Sequence, residues 1–127
     1  MKKLIVLLLL SIFNITANAA PLIKNMTNCP IKVAAACYNV ITCMAVSTCS
    51  TVTVPANSTA PLPVCSCGAG LAQGYAVCCG TTATCVAIND GGTVICPNIP
   101  SSTTLPACSS DCPARTISWS GGNLVIQ

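Results

Sequence analysis

The sequence predicts an all-β fold, a small disulfide-stapled β-sandwich of about seven to eight short antiparallel strands. Three observations carry this expectation. No stretch repeats apolar residues at helical spacing, whereas several short runs alternate apolar and polar side chains with period two. Turn-forming residues separate those runs at intervals of about 8 to 12 residues, the spacing of sandwich strands. Twelve cysteines are spread from Cys29 to Cys112, a density that suits a stapled domain with a small core.

The elements follow in chain order. Leu22-Ile23-Lys24 reads as a short extended segment, closed by the turn-forming Asn25-Met26-Thr27-Asn28. A strand starts after Pro30, where Ile31, Val33 and Ala35 alternate with Lys32, Ala34 and Ala36 so that one face is buried, and Cys37 and Tyr38 continue it. Asn28-Cys29-Pro30-Ile31-Lys32-Val33-Ala34-Ala35-Ala36 resembles the first hairpin of thaumatin-like proteins over those nine residues. The resemblance would imply an acidic cleft and a larger chain; neither is present here, and no function is carried across.

Val40 to Thr48 and Thr51 to Val54 are β-branched and interrupted by cysteines, and Thr51 to Val54, the cleanest alternation in the chain, reads as a strand with Val52 and Val54 facing inward. Pro55 to Thr59 is a turn. Pro61 and Pro63 restrict Ala60 to Val64 to an edge or irregular strand, because proline donates no ladder hydrogen bond. Gly68 and Gly70 mark a loop, and Gly74 to Cys79 resumes extended structure. Thr82 to Ile88 is expected to pair with Thr93 to Cys96 across Asn89-Asp90-Gly91-Gly92, the strongest hairpin signal in the chain. Pro97 to Pro113 reads as a loop pinned by Cys108 and Cys112, and Arg115 to Trp119 with Leu124 to Gln127 closes the fold as a hairpin across Ser120 to Asn123.

The first nineteen residues have a different character. Lys2 and Lys3 precede an apolar stretch from Leu4 to Phe13, and Ala17-Asn18-Ala19 supplies the small residues that signal peptidase accepts. The expectation is a cleavable signal peptide over 1–19, leaving Ala20 at the head of one domain over 20–127. The apolar stretch is about half the roughly twenty residues that span a membrane. Cleavage therefore leaves no membrane span, and the product is secreted to the extracellular space, or to the periplasm of a Gram-negative cell.

In that compartment an even number of cysteines reads as bridges. Cys29, Cys37, Cys43, Cys49, Cys65, Cys67, Cys78, Cys79, Cys85, Cys96, Cys108 and Cys112 are expected to form six disulfides. Cys78 and Cys79 point to opposite faces of a strand and should take different partners. The six-residue steps Cys37, Cys43, Cys49 and Cys79, Cys85 suggest cysteines sharing one strand face. A thiolate metal site built on Cys65-Ser66-Cys67 or Cys108 and Cys112 is the weaker reading, since the chain has no histidine and no paired Cys-x-x-Cys knuckle.

Composition narrows the function. The mature segment keeps Lys24, Lys32, Arg115, Asp90 and Asp111, a net charge of +1, so it lacks the basic patch that nucleic acid requires. Without histidine or glutamate, the usual general bases are missing. Asp90 in Asn-Asp-Gly-Gly and Asp111 between cysteines read as turn and loop residues, with an aspartic dyad as the remote catalytic possibility. No cofactor or metal is expected. Tyr38, Tyr75 and Trp119 read as core side chains rather than a sugar-stacking platform. Asn25-Met26-Thr27 and Asn57-Ser58-Thr59 match the acceptor pattern for N-glycosylation.

A precursor that is 53% hydrophobic, with a mean hydropathy of +0.75, leaves a nearly uncharged mature surface. Low charge promotes association. The leading expectation is a secreted, non-catalytic structural or cell-surface protein that self-associates as a homo-oligomer or meets a surface partner. The alternative is a secreted binding module: a protease inhibitor presenting Arg115, an effector or defence protein, or a weak lectin.

Overall fold

The computed structural model describes residues 20–92 and 96–127. The expected signal peptide over 1–19 lies outside the described residues. The described residues are all-β. Nine strands are β1 (Leu22–Asn25), β2 (Ile31–Asn39), β3 (Ala45–Val54), β4 (Ser58–Pro61), β5 (Leu71–Cys79), β6 (Cys85–Asn89), β7 (Ser102–Leu105), β8 (Arg115–Ser120) and β9 (Asn123–Ile126). They form two sheets, ordered β4-β1-β9-β8-β7 and β3-β2-β5-β6.

Period-two patterning explains how the sheets meet. Ile31, Val33 and Ala35 of β2 and Tyr75, Val77 and Cys79 of β5 turn one face of the four-stranded sheet inward. They pack on Ile23, Leu105, Ile117, Leu124 and Ile126 of the five-stranded sheet, and all of these are buried. From Ala34 onward the opposite face of β2 is buried too, which alternation alone does not foresee: Ala36 and Tyr38 lie beneath Cys96 and Ile99 in a second, smaller core. A central strand covered on both faces carries an apolar run rather than an alternation, and Ala34 to Tyr38 is such a run.

Two local expectations are corrected, and two regions are described more closely. The β1–β9 pair is parallel, with Ile23 opposite Leu124, so the sheets are not wholly antiparallel. Nearly the whole described chain connects those strands, so no tight turn forces them to run in opposite directions. Val40 to Thr48 is not one extended run, because Asn39 Oδ1 accepts the amides of Ile41 and Thr42 and closes a turn before β3 begins at Ala45. The segment 97–113 is not all loop; Ser102–Leu105 pairs with β8 as an edge strand. Finally, β6 pairs with β5 across the turn at 80–84, with Cys78 opposite Cys85. Residues 93–95 of its expected partner lie outside the described residues, and Cys96 is not in a strand.

The closing hairpin matches expectation. Gly121 and Gly122 have φ of 57° and 78°, so both central residues of the two-residue turn joining β8 and β9 are left-handed. That turn matches the right-handed twist of the strands it joins.

Candidate functional site

The twelve cysteines form six bridges: Cys29–Cys112, Cys37–Cys67, Cys43–Cys96, Cys49–Cys65, Cys78–Cys85 and Cys79–Cys108. The neighbours Cys78 and Cys79 diverge. Cys78 staples the β5–β6 hairpin on the outer face, while Cys79, from the inner face, reaches the segment after β7 and ties one sheet to the other. The six-residue steps do not mark a shared strand face, because Cys37 lies on β2, Cys43 in the turn and Cys49 on β3. The sulfurs of Cys37, Cys65 and Cys67 lie within 4.8 Å of one another, yet each is already committed to a bridge. Only reduction would turn that cluster into metal-binding thiolates.

Asp90 and Asp111 sit at opposite ends of the sandwich. Asp90 follows β6 at the end where Asn89 pairs with Gly74, and its Oδ1 accepts the Gly92 amide at 2.9 Å, closing a turn. Asp111 precedes Cys112, whose bridge to Cys29 lies at the other end of β2. The two carboxylates cannot share a proton or a substrate atom across that span. The dyad is not assembled.

Asp90 lines two shallow recesses. One is bounded by Leu62, Tyr75, Gly91, Trp119 and Gly121, the other by Tyr38, Gln73, Gly74, Asn89 and Ile99. The aromatics there are engaged. Trp119 Nε1 donates to the Asn89 carbonyl at 3.1 Å, its ring covers Gly91, and it packs against Tyr75 with centroids 5.8 Å apart. Tyr75 accepts a hydrogen bond from Gln73 Nε2 at 2.7 Å, and Gln73 Oε1 accepts the Cys65 amide at 2.8 Å. Burial pushes the Tyr75 phenol above its usual range, and the Asp90 charge acts in the same direction against the Gln73 hydrogen bond; burial alone raises Tyr38. Both tyrosines stay neutral and structural, as their placement in the core requires.

Arg115 is where the sequence reading fails. Instead of standing out as a protease-facing side chain, it is buried, with only 9% of its surface accessible. Its Nη2 donates to Asn28 Oδ1 at 3.2 Å and lies 3.0 Å from Cys29 Sγ, while its Nε has no partner among the described residues. An inhibitor reading built on Arg115 therefore loses its contact residue. The signal was present: Arg115 has the same parity as the buried Ile117, and that parity faces the core.

Comparison with known protein families, curated proteins and solved structures gives no match to this chain. The likeness to thaumatin-like proteins stays at nine residues. What the described surface offers instead is apolar. Ile41, Met44 and Val46 are 88%, 70% and 60% exposed at the tip of the β2–β3 hairpin. Val64, also exposed, is tethered close to β3 by the adjacent Cys49–Cys65 bridge.

Proposed function

We propose that the mature chain is a secreted, non-catalytic structural or cell-surface protein that associates with copies of itself through the β2–β3 tip. The carrying observation is the exposed set Ile41, Met44 and Val46 on a surface with almost no charge to oppose its burial. With Arg115 buried, the exposed or half-exposed charges are Lys24, Lys32, Asp90 and Asp111, which sum to zero. A neutral surface carrying large apolar side chains favours association over solvation. Six bridges suit an oxidising compartment, where a rigid, stapled unit can persist without chaperones.

Side chains rather than backbone would lead this association. β3 is an edge strand of ten residues with no charge and no internal proline, which would ordinarily template pairing with another chain. Its register against β2 shifts between Ala34 and Ala36 and again between Cys37 and Tyr38. Such bulges break the edge into short runs and spoil a continuous ladder. Val46 is the residue left unpaired at the second shift, and the tip from Ile41 to Val46 keeps its apolar side chains exposed.

Sedimentation velocity of the oxidised mature protein, from about 10 μM upward, tests the proposal; at these concentrations weak contacts of this kind assemble. Concentration-dependent oligomers are expected, and Ile41→Asp with Met44→Asp should return the protein to monomer while leaving its circular dichroism unchanged. A wild-type protein that stays monomeric throughout would overturn it.

A further inference from the structure

We infer that the Cys29–Cys112 bridge is a thiol-exchange site, attacked at Cys112 by a small thiol or a dithiol oxidoreductase, with Arg115 receiving the leaving Cys29 thiolate. This inference is independent of self-association.

The geometry is asymmetric across the bridge. Cys29 is buried at 2% exposure, while Cys112 is half-buried in an otherwise exposed segment, Ser109 to Ala114. An incoming thiolate therefore meets Cys112 first. The bond that breaks releases its electron pair on Cys29, whose Sγ lies 3.0 Å from Arg115 Nη2. A cation beside a thiol lowers its pKa, and a leaving thiol of lower pKa departs faster. The Asp111 carbonyl oxygen and Asn28 Oδ1 also approach Cys29 Sγ, both at 3.5 Å, and their dipoles oppose a thiolate. Asn28 Oδ1 is itself held by Arg115, and a full guanidinium charge at shorter range outweighs the two dipoles, the more so in a buried setting.

Arg115 has reason to accept such a partner. It is a buried guanidinium with no carboxylate among its hydrogen-bond partners in the described residues, and its Nε is unsatisfied. Buried charges ordinarily come paired. Cleavage supplies the missing anion, so the reduced state gains an ion pair that the oxidised state lacks. No other bridge has this arrangement among the described residues. Lys32 stands opposite Cys78 in the ladder, but it is exposed and makes no hydrogen bond to sulfur.

The exchange balances as a two-electron step. One thiolate attacks Cys112 Sγ, forming a mixed disulfide there and freeing the Cys29 thiolate. A second thiol attacks the mixed disulfide, leaving as an oxidised disulfide and returning the Cys112 thiol. Two thiols are oxidised and one protein bridge is reduced.

Reduced glutathione, supplied in limiting amount to the oxidised mature protein, is the probe. Samples quenched in acid, alkylated and mapped by peptide mass spectrometry should show the first adduct on Cys112 with alkylated Cys29. Arg115→Met should slow that adduct by about tenfold, with Arg115→Lys between the two. Access alone would favour the exposed Cys49 and Cys85 instead. A first adduct at either of those, an adduct on Cys29, or an unchanged rate in folded Arg115→Met protein would overturn the inference. Should Arg115→Met fail to fold, the position of the wild-type adduct decides alone.

Discussion

Asn25 commits its whole side chain to the backbone around it. Its Nδ2 points at the carbonyls of Cys29, Val54 and Pro55 at 2.7, 3.2 and 3.0 Å, and its Oδ1 accepts from the amide and hydroxyl of Thr27 at 3.1 and 2.7 Å. It thereby joins β1, the approach to β2 and the end of β3 at one buried point. Asn25→Asp would replace a donor facing three carbonyls with an acceptor, so the variant should lose about 3 kcal/mol or more by urea titration with the bridges intact. A loss below about 1 kcal/mol would mean that water replaces the amide, contrary to its burial. The same burial removes Asn25 as a glycan acceptor in the folded protein, while Asn57, exposed at a left-handed turn position, keeps its acceptor geometry. Asn25 and Arg115 share one lesson. Each sits in the inward parity of its strand, beside Ile23 and Ile117 respectively, so alternation alone would have placed both polar side chains inside the fold. Residue type pulled the reading outward, because polar side chains are usually solvated.

Turns decide which strands pair, and turn chemistry was legible more reliably than pairing. Ser120-Gly121-Gly122-Asn123 joins β8 to β9 as the sequence implies, since two residues in sequence leave little choice of partner. Asn89-Asp90-Gly91-Gly92 is also a genuine turn, with Asn89 Oδ1 accepting the Gly91 amide and Asp90 Oδ1 the Gly92 amide, both at 2.9 Å. Its role is set by a distant element, however: Trp119 of β8 folds over it. Gly91 has φ of 81°, and a Cβ there would lie 2.8 Å from the Trp119 ring. Gly91→Ala thus combines backbone strain with displacement of the indole, and should cost about 2 kcal/mol and shift Trp119 emission toward the red. Gly121→Ala, which meets nothing within 4 Å, supplies the control: it carries the backbone term without the emission change. β7 escaped the sequence reading because prolines on both sides of Ser102–Leu105 resemble loop punctuation. Edge strands tolerate such flanks.

At the scale of the molecule, sandwich architecture followed from local patterning, whereas the pairing of cysteines did not. Twelve cysteines allow on the order of ten thousand connectivities, and the observed one depends on which loops the two sheets bring together. Cys29–Cys112 and Cys79–Cys108 both reach the segment between β7 and β8, so two bridges clamp the sheets at the same end. Cys78–Cys85 instead joins residues already opposed in a hairpin. The sequence separations are 29 for Cys79–Cys108 and 7 for Cys78–Cys85. Loop-closure entropy assigns about 3.6 kcal/mol to the longer closure and about 2.4 kcal/mol to the shorter. Burial widens the gap, since Cys79 is packed in the main core at 1% exposure and Cys85 is exposed. The paired substitution Cys79→Ala with Cys108→Ala should therefore destabilise the protein more than Cys78→Ala with Cys85→Ala, by about 1 kcal/mol from entropy and more once the lost packing is added. Thermal unfolding of the two double variants, each checked for five remaining bridges by mass, measures the order. The reverse order would mean that the hairpin staple holds structure the sandwich core does not. It would shift the source of stability from the contact between sheets to the β5–β6 edge.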